Sequence, residues 1–165
     1  MAQETAAVTS IHDLAGRIRD ASAPGSGPSP AQVRDILSEA LTTPGDWIDP
    51  AYQHLGEGEY ALYPVYRAED GRCSMLVAVL RSGTPLPVHN HGSWAVVGVY
   101  KGREHETWFR RVDDGLSRDA PSWRSTRPSR MSAGPPAWFP TAGSTRSRRW
   151  TANRRCRSTS TALTS

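Results

Sequence analysis

Gly83-Thr84-Pro85-Leu86-Pro87-Val88-His89-Asn90-His91, with Gly102 eleven residues beyond the second histidine, is the stretch that decides how this chain is read. Two histidines one residue apart on a segment that reads as a strand turn their imidazoles to the same face. From there both nitrogens reach one metal ion at roughly 2.0–2.2 Å. The flanking glycines and prolines bound the strand with turns. A His-x-His pair on an arbitrary strand is more often ordinary packing, so the glycine frame around it carries the weight.

On either side, the apolar residues change period. Ile11, Leu14, Ala15 and Ile18 have helical spacing. Residues 21–28 are a linker by composition. A second helix follows, with Ser29 as cap, Pro30 at its first position and Gln32 completing a capping box. Val33, Ile36, Leu37, Ala40 and Leu41 form its apolar face, and Thr43-Pro44-Gly45 ends it. From Tyr60 the pattern becomes that of strands: residues 60–66, a hairpin turn at Glu69-Asp70-Gly71-Arg72, then 73–80, 88–91, 94–100 and 104–112. Lys101-Gly102 reads as a turn between the last two. Short strands at regular spacing imply an antiparallel sandwich or barrel.

Composition splits the chain in two. Residues 1–115 hold ten Lys or Arg against fifteen Asp or Glu, a net charge of −5. Residues 116–165 hold ten Arg against the single acid Asp119, a net charge of +9, with no Lys and no His. The expected organisation is a helical segment at 1–50, half of a barrel at 51–115, and an Arg/Ser/Pro-rich tail at 116–165. No apolar run approaches the roughly 18–20 residues that span a bilayer. Met1-Ala2-Gln3-Glu4 lacks the basic and apolar regions of a signal peptide. Cys73 and Cys156 are too few for a disulfide framework, so a cytoplasmic location and no membrane partner are expected.

The segment Gly83-x5-His89-x-His91-x3-Ala95-x6-Gly102 resembles the first motif of the cupin superfamily, small double-stranded β-helix barrels. That motif usually has a Glu ligand where this chain has Ala95. A His-x-His pair without the Glu resembles the cysteine dioxygenase-like, or thiol dioxygenase, proteins, and the run from Pro87 to Glu104 is close to their bacterial branch. The resemblance covers residues 8–115. It implies a mainly β cupin barrel with two N-terminal helices and an Fe(II) cofactor held by three histidines. His89 and His91 would be two of them, with Tyr63 and Trp94 as walls of the substrate pocket. The implied reaction oxidises a small thiol, of the cysteine or 3-mercaptopropionate type, to a sulfinate with O2. Two features depart from the family. No Cys follows the histidine pair to crosslink with a Tyr, and Arg67 is the only cation on the strand expected to meet a substrate carboxylate.

The third histidine is also missing, and the tail suggests why. A slip of reading frame in GC-rich DNA yields Arg, Ser, Pro, Thr and Ala in excess with isolated Trp, and one Lys beside nineteen Arg fits such DNA. Read two bases later, codons permitted for residues 143–156 can spell IHSVAALDGEPPM, and those for 157–164 can spell SVHVYGTD. Residues 117–131 can also be re-read as native-like sequence. The tail is therefore expected to be out of frame from about Gly115, with the missing ligand spanning the codons of Ser144 and Thr145. The C-terminal part of the barrel is expected to be missing or disordered and the chain as written to be impaired; no residue is assigned a catalytic role beyond the ligands.

Other readings remain open at this point. A non-catalytic cupin module would bind a small molecule or metal without turnover. A different cupin enzyme would use another metal or act on carbon. An Arg-rich tail could bind nucleic acid in a salt-sensitive way, but its arginines lie on no periodic face, which disfavours that partner. His12, His54 and His105 read as solvated or locally bonded, Glu104 and Glu106 as a solvated face, and Cys73 as a small core residue.

Overall fold

The computed structural model describes residues 7–21, 27–71, 73–83, 85–89, 91, 93–112, 122–132, 137–139, 149–153 and 158–164. For residues 110, 111, 123 and 126–164 the description is of the backbone. Two helices precede seven strands: α1 (Ile11–Asp20), α2 (Pro30–Thr42), β1 (Tyr60–Arg67), β2 (Ser74–Leu80), β3 (Ala95–Arg111), β4 (Trp123–Ser132), β5 (Ala137–Phe139), β6 (Arg149–Asn153) and β7 (Ser158–Thr164). The expected class, mainly β with two N-terminal helices, is what the structure shows.

Both helices start where the sequence chemistry places them. The Ser10 hydroxyl accepts from the Asp13 amide at 3.0 Å, capping α1. In α2, Ser29 and Gln32 exchange both bonds of a capping box, at 3.3 Å and 3.0 Å. Removing the Ser29 hydroxyl (Ser29→Ala) orphans the Gln32 amide at an exposed helix end, and should cost about 1 kcal/mol of stability, read as a shift in the denaturant midpoint. Ile11, Leu14, Ala15 and Ile18 of α1, and Val33, Leu37 and Ala40 of α2, are buried as their spacing requires. They form one core with Trp47, Ile48, Cys73, Met75, Val77, Val79 and Val96, so the helices cover one face of the sheet. Arg17 ties them together, meeting Asp13 at 3.3 Å and Glu39 at 3.6 Å.

The sheet order is β1-β2-β7-β3-β4, with β5 and β6 also pairing β3. All the pairs are antiparallel. The β1–β2 hairpin turns where expected: Ala68 donates to the Cys73 carbonyl at 2.8 Å, and Gly71 adopts φ +70°. A second expected turn is not one. Gly102 has φ +89°, yet β3 continues through it as a single strand. Up to Gly102, β3 pairs with β5 and β7; beyond it, with β4 and β6. Gly102 is thus the corner at which one strand passes from one sheet to the other, a bend for which glycine is suited.

The expectation that the C-terminal part of the barrel is missing also needs correction. Four strands run through residues 123–164, and β7 lies between β2 and β3. Backbone donors and acceptors pair whatever the side chains are, and Thr and Trp favour extended backbone. The absence of apolar periodicity therefore did not rule out strands here.

Candidate metal site

The histidine pair sits on the segment that leads into β3. That segment was expected to be a strand over 88–91. In the structure it is irregular, with a single bridging pair at His89. Gly83 at φ +89° turns the chain, and Pro85 and Pro87 lack the amide hydrogens a ladder needs. Thr84, Asn90 and Gly92 lie outside the described residues.

Despite the lost strand, the two imidazoles meet. Their ring centroids are 5.4 Å apart, with planes at 72°. Two imidazoles sharing one ion through bonds of about 2.1 Å would hold their centroids roughly 4.5–5.5 Å apart, so this spacing suits a common ligand. His89 Nδ1–H donates to the Pro87 carbonyl at 2.8 Å. A carbonyl only accepts, so Nδ1 carries a proton, and the neutral ring then has its lone pair on Nε2, as a metal ligand requires. His91 is exposed at the surface, yet protein atoms crowd its ring. That desolvation, and after it the neighbouring His89, lower its pKa and favour the neutral form that coordinates.

Ala95, where a carboxylate ligand would stand, is fully buried at the start of β3. Among the described residues no group of three or more His, Cys, Asp or Glu side chains could hold a metal ion. Ser144 and Thr145, whose codons were expected to hide a third histidine, lie outside the described residues. The donor set on view is therefore two imidazoles, which fits part of a divalent metal site.

The residues expected to line a pocket, Trp94 and Tyr63, have the following surroundings. Trp94 is half-buried against the core, three residues from His91. Tyr63 on β1 is engaged elsewhere: its hydroxyl donates to the His54 carbonyl at 2.7 Å, and its ring lies 5.9 Å from Tyr52. Arg67 is exposed at the end of β1. Cys73 is a buried core residue, as its sequence context implied, and burial pushes its thiol pKa up.

Two residues on β3 depart from the solvated reading. Glu106 is buried at 7% exposure, and the Nε2 of half-buried His105 is enclosed without a hydrogen-bond partner. Alternation of Glu104, His105 and Glu106 alone did not show which face of the strand is covered. The length of β3 beyond Gly102 decides this, because it carries Glu106 between Ser129 of β4 and Asn153 of β6. Near the other end of the α2–β3 connection, Asp46 receives the Lys101 ammonium at 2.9 Å and the Tyr100 hydroxyl at 3.0 Å. These contacts fasten the loop after α2 to β3.

No protein-family model matches the chain, and no curated protein matches it. Among solved structures it resembles an RmlC-like cupin with a double-stranded β-helix fold from Methanocaldococcus jannaschii, at 14% identity and TM-score 0.44, covering 69% of this chain and 87% of that one. It also resembles a cupin superfamily protein from Desulfitobacterium hafniense, at 10% identity and TM-score 0.48, covering 73% and 92%. A third is the Fe(II) form of HppE in complex with its substrate, at 15% identity and TM-score 0.45, covering 82% and 72%. At such identities the likeness concerns the fold and says nothing of the reaction. No helix among the described residues is long and apolar enough to cross a membrane.

Proposed function

We propose that this chain carries part of the metal centre of an iron-dependent, thiol dioxygenase-like cupin. The reaction is oxidation of a small thiol, of the cysteine or 3-mercaptopropionate type, to a sulfinate. The observation that carries this reading is the histidine pair. Its rings are 5.4 Å apart, and His89 is held in the tautomer that offers Nε2. With Ala95 in place of a carboxylate, the protein donors are neutral, which leaves a divalent ion its charge for attracting a thiolate.

Bound Fe(II) would supply the electron relay and the open positions that bring thiolate and O2 together. The overall balance is RSH + O2 → RSO2H: sulfur gives up four electrons, both oxygen atoms end on it, and no external reductant is needed. The part of this chain is to hold two imidazoles in place. The Pro87 carbonyl orients His89 through Nδ1, and crowding lowers the His91 pKa, which favours its neutral form. Trp94, three residues from His91, would serve as an apolar wall of the substrate pocket. Tyr63 would contribute its ring, since its hydroxyl is already engaged.

Two protein ligands hold iron far less firmly than three. Anaerobic titration of the chain as written is therefore expected to show weak, substoichiometric Fe(II) binding, and oximetry to show little O2 uptake on adding cysteine or 3-mercaptopropionate. Tightly bound stoichiometric iron with thiol-dependent O2 consumption would contradict the two-ligand account.

A further inference from the structure

Strand β7 lies between β2 and β3, which both contribute buried residues to the core. Met75 and Val77 on one side, and Val96 and Val99 on the other, are 1% exposed or less. The register places Leu163 between Met75 and Val96, Thr161 between Val77 and Gly98, and Ser160 between Ala78 and Val99. A strand enclosed in this way normally has large apolar residues, because each buried hydroxyl must find a hydrogen-bond partner. Yet β7 reads Ser-Thr-Ser-Thr-Ala-Leu-Thr. The position in the sheet and the residues that fill it disagree, and they do so in the C-terminal segment, 116–165, where the net charge changes from −5 to +9.

We infer that the native occupant of this slot is the peptide encoded by the same DNA read two bases later, and that the reading frame changes near Gly115. The genetic code makes this more than a free choice of codons. Every Thr codon begins with AC, so the shifted triplet ending in those two bases encodes Tyr, His, Asn or Asp. Every four-fold Ser codon begins with TC, so its shifted triplet encodes Phe, Leu, Ile or Val. With serines of that type, Ser158-Thr159-Ser160-Thr161 becomes an alternation of large apolar residues with polar or aromatic ones, whatever the third bases are. That is the period-2 pattern of a strand in a sheet. Trp has a single codon, so Trp150-Thr151 yields Asp without choice, restoring acid to a segment that holds only Asp119. One added nucleotide near the Gly115 codon selects this frame for everything that follows.

The inference deepens the proposed function, because β7 pairs with the strand that follows the histidine pair. Its test is read on folding rather than on turnover. The coding DNA should spell Ser158 and Ser160 with TC codons. The full chain with the one-nucleotide insertion should unfold in a single cooperative transition, with a midpoint about 10 °C or more above that of the chain as written. AG-type codons at those serines, or a restored chain that melts no higher, would overturn the inference. A restored chain that folds as expected but oxidises neither cysteine nor 3-mercaptopropionate would support the frame change and overturn the proposed activity.

Discussion

Replacing both histidines (His89→Ala with His91→Ala) is expected to abolish measurable Fe(II) binding, a loss of ~100-fold or more in affinity. The two rings supply the nitrogen donors, with centroids 5.4 Å apart, and among the described residues no group of three or more His, Cys, Asp or Glu side chains offers the ion another place. The fold should survive. His89 is half-buried and His91 exposed, on an irregular segment outside the core. The unfolding free energy should therefore move by no more than about 0.5 kcal/mol, as for surface substitutions. His12→Ala, at an exposed position on α1, is the matched control and should leave binding intact. Anaerobic Fe(II) titration of the double variant beside this control checks the expectation. Unchanged binding in the double variant would remove the metal reading.

The second large effect is on stability. Leu37 is fully buried in α2, within the cluster joining both helices to Met75, Val77 and Val96. Leu37→Ala leaves a cavity where helices and sheet meet, and should cost roughly 2–5 kcal/mol. A domain of ordinary stability holds only about 5–15 kcal/mol, so this one change removes a large share. Urea denaturation should show the midpoint falling with the slope unchanged. A loss below about 1 kcal/mol would mean that α2 does not cover the sheet as described.

The helices were legible because their signals are local. Ser29, Pro30 and Gln32 announce the start of α2, and the spacing of Val33, Leu37 and Ala40 announces its buried face. The β1–β2 hairpin was legible for the same reason, through Gly71. Gly102 misled because a glycine at positive φ suits a turn and a sheet corner equally, and only long-range pairing with β4 to β7 tells them apart. The proximity of the two histidine rings was legible but the secondary structure around them was not, since Pro85 and Pro87 break the ladder without separating the rings. Glu106 was misread as solvated because its burial comes from residues distant in sequence.

The central claim is that His89 and His91 share a metal ion. The chain has five histidines, so each ring can be followed by NMR with 15N-labelled histidine during anaerobic addition of Fe(II). The account predicts early, selective paramagnetic broadening of the His89 and His91 ring signals, with those of His12 and His54 sharp at the same iron concentration. Broadening shared evenly among all five, or absent from that pair, would contradict it.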